Sequence, residues 1–171
     1  MTSKIDNHRQ NKEPNPILVI GVGNLLLKDE GIGVHVIRAL HEANLPDNIQ
    51  LIDAGTSPDP VTYPAASDKL IIIDAAKGGG EPGTIYRLHP GDLTTETGKA
   101  ISAHQLGVNH SLMLLKLMGN EPREIVIIGI EPKEIDWGTE LSVELKQKLP
   151  QIVQVVLKEI GIAPAKITRH D

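Results

Sequence analysis

The stretch from Ile17 to Ala39, ILVIGVGNLLLKDEGIGVHVIRA, constrains this chain most. An apolar run, Ile17-Leu18-Val19-Ile20, stops at Gly21-Val22-Gly23-Asn24; Asp29 and Glu30 follow, and an amphipathic segment begins. A continuous apolar run with no polar alternation reads as a strand buried on both faces, which requires a sheet covered on both sides. Gly21 and Gly23 allow the chain to turn tightly after it. Ile32, Val36, Ile37 and Leu40 then share one face of a helix expected over about residues 30–44. Acids in a first helical turn are favoured by the macrodipole, by about 0.3–1 kcal/mol. Asp is the better N-cap of the two, so Asp29 is expected to cap the helix and Glu30 is left without an evident structural task.

The rest of the chain repeats the theme of strands that end in polar residues. Residues 48–53 alternate polar and apolar as a half-buried second strand, ending in Asp53-Ala54-Gly55-Thr56. At the end of this strand Asp53 either bonds turn amides or faces a site; both roles are open. Leu70-Ile71-Ile72-Ile73-Asp74 is the clearest buried strand, followed by a loop with Gly78, Gly79 and Gly80 that is expected to be mobile. Residues 84–88 are shorter and more polar, suited to a sheet edge. A helix is expected at about 104–118, with Leu106, Met113, Leu114, Leu117 and Met118 on one broad face and Gly119 closing it. Residues 124–130 form a last strand before Glu131-Pro132. The closing helix spans about 138–160, and Pro150 within it predicts a kink or two helices end to end, since an interior proline costs about 3 kcal/mol. The expected organisation is a flexible arm over residues 1–15, one α/β domain over 16–161 and a loose tail over 162–171.

Composition removes several chemistries. The 171 residues contain no Cys, so disulfides, thiolate metal sites and a cysteine nucleophile are excluded. Any metal must be met by His, carboxylate or backbone oxygen. The net charge is −5, and no basic cluster offers a nucleic-acid surface. No stretch has the length of a membrane span, and the N-terminal residues lack the apolar core of a secretory signal, so a cytoplasmic protein is expected. Gly21 and Gly23 begin a dinucleotide fingerprint, but its third glycine position is Leu26, and no Gly-Lys-Ser/Thr phosphate loop occurs.

Strands alternating with helices predict an α/β three-layer sandwich with a mostly parallel sheet. Ligands of such sheets bind at the carboxyl ends of the strands. Asn24, Asp53, Asp74 and Glu131 lie just past strand ends, Glu30 opens the helix after the first strand, and His104 opens another helix. Two carboxylates and an imidazole make a metal site with open positions chemically sensible. The same groups can instead serve as acid and base, and spacing leaves both open.

Taken in order, Gly21-Val22-Gly23-Asn24, Asp29-Glu30-Gly31-Ile32-Gly33, Asp53-Ala54-Gly55-Thr56, Leu70-Ile71-Ile72-Ile73-Asp74-Ala75, Ser102-Ala103-His104-Gln105 and Gly129-Ile130-Glu131-Pro132 resemble the motifs of the hydrogenase maturation endopeptidases, of the peptidase M52 type. The resemblance runs over about residues 17–158. It implies a twisted five-stranded mixed sheet between helices, phosphorylase/hydrolase-like, with one antiparallel strand placed at 84–88. It implies removal of a short C-terminal extension from a [NiFe] hydrogenase large-subunit precursor, after nickel insertion, with the nickel carried by the precursor and no tightly held organic cofactor. By motif, Glu30, Asp74 and His104 become the metal-contacting and catalytic candidates. Asn24, Asp53, Gly55, Thr56 and Glu131 become the substrate-binding candidates. The chain departs from the family pattern at Ala54, where the family usually has Gly, and in the proline-rich Ser57-Pro58-Asp59-Pro60, which leaves the class of hydrogenase open. The competing readings are a nucleotide-binding module, a non-catalytic metal chaperone or scaffold, and a stand-alone metallohydrolase.

Overall fold

The computed structural model describes residues 15–58, 67–93 and 105–162. Among these residues five strands form one sheet: β1 (Ile17–Val22), β2 (Ile49–Gly55), β3 (Lys69–Ala75), β4 (Ile85–Leu88) and β5 (Glu124–Ile130). Their spatial order is β2-β1-β3-β5-β4. β1 pairs in parallel with β2 and β3, and β3 in parallel with β5, while β4 runs antiparallel along β5 at the edge. The mixed sheet with its single antiparallel strand at 85–88 is the one expected.

Among the described residues three α-helices cover it: α1 (Ile32–His41), α2 (Gln105–Leu117) and α3 (Val143–Ile160). Period-two alternation sorts the central strands between two cores. Val19, Ile71, Ile73, Val126, Ile128 and Ile130 face α1 and α3, where Ile37, Leu40, Leu145, Ile152 and Val156 close the layer. Leu18, Ile20, Leu70, Ile72 and Ile127 face the other way, against Val108 and Leu115 of α2. Each fully buried Ile or Leu contributes about 1.5–3 kcal/mol of transfer free energy, so these two layers drive the sandwich together. With no Phe and one Trp in the chain, aliphatic side chains carry both.

Several sequence expectations change. Asp29 does not cap α1: a 3-10 turn, Lys28–Gly31, precedes the helix, and Gly31 occupies the cap position without a side-chain hydrogen bond. α3 starts at Val143, not near 138. Ser142 is its cap, with Oγ accepting from the Leu145 amide at 3.4 Å, and Leu141 is buried ahead of the helix. Pro150 sits within one helix rather than between two. It lies on the exposed side, where the carbonyl it leaves without a partner can be hydrated. On α2 the buried face is Val108, Ser111 and Leu115, whereas Met113, Leu117 and Met118 are exposed. That helix is apolar nearly all round, so periodicity alone does not pick its inner face. Gly119 does close α2, in the left-handed conformation with φ 70°. Just after α3, the Ile162 amide donates to the Leu157 carbonyl and its side chain packs on the core, while residues 163–171 of the expected tail lie outside the described residues.

Candidate active site

The site is built where β1 and β3 end. β1 has β2 on one side and β3 on the other, so the chain's connections diverge here. A crevice outside the carboxyl ends of the strands at such a switch point is where open α/β sheets bind ligands. α1 begins directly above it. A Cβ added at Gly33 would lie 2.3 Å from both the Val22 and Ile73 carbonyl oxygens, and one at Gly21 would lie 2.3 Å from the Gly33 oxygen. A Cβ at Gly23 would meet the Glu30 oxygen at 2.2 Å. These glycines allow close approach of helix to sheet and of turn to turn. Helix–strand packing thus accounts for these glycines, and the nucleotide-binding reading is not favoured.

Glu30 is carried by the 3-10 turn after β1 and is 9% exposed. No described residue donates a hydrogen bond to its carboxylate. Its neighbour Asp29 is fully buried, and its oxygens accept from the amides of Lys133 at 2.9 Å, Glu134 at 3.1 Å and Ser142 at 2.7 Å. Asp29 thus pins both ends of the loop between β5 and α3.

Asp74 is 5% exposed at the end of β3, and its Oδ1 accepts from the Ala75 amide at 2.8 Å. Alternation places it on the same face of the sheet as Leu70 and Ile72, the face covered by α2. The direction of α2 follows from connectivity. Its last residue, Leu117, is seven positions before Glu124, which pairs with Lys69 at the amino end of β3. A helix of 13 residues is about 20 Å long, close to the length of a seven-residue strand. The N-terminus of α2, at Gln105, therefore lies at the carboxyl edge, with Glu30 and Asp74. His104 immediately precedes it in the chain and lies outside the described residues. Among the described residues no group of three His, Asp or Glu forms a metal site, and the candidate trio includes His104.

The other candidates have local partners. The Asn24 Oδ1 accepts from the Leu26 amide at 3.0 Å, and the Asp53 Oδ1 accepts from the Gly55 amide at 3.0 Å. Asp53 is exposed and Gly55 adopts φ 52°, so the two build the turn that ends β2, next to a register shift against β1. Thr56 follows in the same exposed turn. Below it, the buried Ser111 hydroxyl donates to the Pro58 carbonyl and ties this loop to α2.

Glu131 is buried just past β5. Its Oε2 accepts from the Tyr86 hydroxyl at 2.6 Å, the Gly78 amide at 2.6 Å and the Gly80 amide at 3.3 Å. Burial opposes its ionisation, but these donors prevail and hold the carboxyl below its ordinary range. Tyr86 is pushed up by burial and by donating to this carboxylate. The glycine loop after Asp74 is thus tied to the end of β5 through two of its amides. Sequence reasoning missed Tyr86; its only signal is being one of two tyrosines in the chain, placed opposite Gly129 on β5.

A family model described as "HycI: Hydrogenase maturation protease" matches residues 34–159. The chain belongs to the hydrogenase maturation protease family. It is 36% identical over 154 residues to the hydrogenase expression/formation protein HupD of Rhizobium leguminosarum bv. viciae, covering 86% of this chain and 76% of that protein. The hydrogenase maturating endopeptidase HybD from Escherichia coli superposes with a TM-score of 0.73 at 33% identity, over 85% of this chain and 94% of that one. The [NiFe] hydrogenase maturation protease HybD from Thermococcus kodakarensis gives 0.71 at 29% identity, over 84% and 98%. Fold and family agree, and the protease is a hydrolase acting on peptide bonds in hydrogenase maturation. No helix among its described residues is long and apolar enough to cross a membrane.

Proposed function

We propose that the protease removes the C-terminal extension of a [NiFe] hydrogenase large-subunit precursor, in the cytoplasm, after nickel has been inserted. The observation that carries the reading is the pair of buried carboxylates, Glu30 and Asp74, at the carboxyl ends of two adjacent parallel strands, in a family of maturation endopeptidases. Buried carboxylates beside strand ends suit a cation brought by the substrate. Glu30, Asp74 and His104 would take open coordination positions on the precursor's nickel and so fix the scissile bond relative to the enzyme. A carboxylate there, or the metal-bearing substrate itself, would activate the attacking water. Asn24, Asp53, Gly55, Thr56 and Glu131 would border the bound polypeptide, the first four from the ends of β1 and β2 and Glu131 from the end of β5.

The test is the mass of the precursor after incubation with the purified protease, with and without nickel loading. Loss of a short C-terminal peptide in the loaded sample alone is expected. Glu30→Gln, Asp74→Asn and His104→Ala should each abolish the loss while the fold survives. Normal cleavage by all three variants would overturn the assignment, and precursor binding without shortening would favour a scaffold.

A further inference from the structure

Large apolar side chains are exposed beside the candidate site, on a frame too well fixed to be incidental. The chain's single tryptophan, Trp137, is 77% exposed, Leu26 is 55% exposed and Ile135 is 36% exposed. Leu26 belongs to the turn between β1 and Glu30; Ile135 and Trp137 belong to the loop between β5 and α3. A parallel bridge joins the two segments at Leu27 and Gly138, with the Gly138 amide donating to the Leu26 carbonyl at 3.0 Å and the Lys28 amide donating to the Gly138 carbonyl at 2.8 Å. In that register Leu26 stands opposite Trp137.

The frame is fixed from several directions. Asp29 holds both ends of the 133–142 segment through three amides. Asp136 Oδ1 accepts from the Trp137 amide at 2.7 Å, and Lys28 pairs with Glu134 at 3.1 Å. Lys28 itself sits at φ 47°, a left-handed conformation rare outside glycine, which persists only where surrounding contacts impose it. A Cβ at Gly138 would approach the Lys28 stem at 3.0 Å, so the two segments lie in close apposition.

A tryptophan displayed on a rigid loop loses little freedom on binding and is the side chain most enriched at interface hot spots. The patch is continuous with the turn that carries Glu30, and an endopeptidase must seat a polypeptide there. We infer that Trp137, with Leu26 and Ile135, is a docking platform for an apolar segment of the large-subunit precursor, next to the scissile region. The inference rests on the proposed substrate. It adds a contact that sets affinity, separate from the groups that cleave.

The experiment uses the full chain and the nickel-loaded precursor. Because Trp137 is the only tryptophan, 5-fluorotryptophan labelling yields one fluorine resonance from this position. Titration with precursor should shift or broaden that resonance. Trp137→Ala should raise Kd and KM for the precursor about tenfold or more, with kcat at saturation and Tm unchanged, and Trp137→Phe should recover part of the loss. Leu26→Ala should act in the same direction. An unmoved resonance, with Kd and KM unchanged in Trp137→Ala while wild type binds and cleaves, overturns the platform and leaves the proposed function standing. Wild type that neither binds nor cleaves overturns both. A wild-type dimer in sedimentation that Trp137→Ala converts to monomer assigns the patch to a second copy and overturns precursor docking.

Discussion

Asp29 and Glu30 are consecutive in the chain and have opposite fates. The Asp29 carboxylate accepts three backbone amides from the loop between β5 and α3, whereas no described residue donates to Glu30. One acid holds the loop between β5 and α3 in place, and the other has no described donor on its carboxylate. Asp29→Ala should therefore lower stability by about 2–4 kcal/mol, because three backbone amides, that of Ser142 buried, lose their acceptor. Glu30→Gln should leave the denaturation midpoint nearly unchanged and lower processing by about a hundredfold or more. Chemical denaturation and precursor processing, run on both variants, check the pair. Equal stability losses would contradict the division of labour.

Gly33 tests what the glycines are for. Its added Cβ would meet two strand carbonyls at 2.3 Å, and backbone cannot yield as a side-chain end can. Gly33→Ala should push α1 off the ends of β1 and β3 and cost about 3 kcal/mol or more. Thermal unfolding reads the loss. If the glycines served a phosphate instead, the variant would stay stable and NAD or ATP binding by wild type would be measurable.

Glu131 couples the end of β5 to the loop that follows Asp74. Glu131→Gln keeps the shape but weakens three hydrogen bonds to an anion, at about 1–2 kcal/mol. Its folded carboxyl lies below the ordinary range, so its stabilisation is present above the unfolded pKa and is lost as pH falls through the folded one. Faster hydrogen exchange at the Gly78 and Gly80 amides in the variant would show that the anchor has been released. Tyr86→Phe should do the same to a smaller extent.

Glu159 is a test remote from the site. It accepts from Lys69 at 2.8 Å and from Arg87 at 3.0 Å, joining α3 to β3 and β4. The Arg87 hydrogen bond, with Lys69 behind it and burial opposing, pulls its pKa down to about 2. A depressed folded pKa gives stability that is full above the unfolded value of about 4.3 and declines from there toward pH 2. Glu159→Gln should lose about 1–2 kcal/mol at neutral pH, allowing for the solvent exposure of Arg87, and little at pH 2. Urea midpoints measured across that range check the slope.

The sequence by itself determined the layered α/β class, the strand positions and the strand-end candidates. Apolar runs and period-two alternation are local records of burial, and Ile17–Ile20 and Leu70–Ile73 have no other use for that pattern. Local turn chemistry was legible too: Asp53 and Gly55 form the bond their spacing allows. Motif order supplied Glu30, Asp74 and His104 together, which spacing alone did not.

Only the tertiary structure decided the partners, because hydrogen bonds between distant segments leave no periodic trace. Asp29 has the composition of a helix cap but spends its carboxylate more than a hundred positions away, on Lys133, Glu134 and Ser142. Glu131 reaches back to Gly78, Gly80 and Tyr86, and ties a run of glycines to the end of β5. The outward faces of α2 and the exposure of Trp137 depend likewise on which surfaces the sheet covers. A side chain's chemistry is written in the chain, but the groups left to satisfy it are set by the fold.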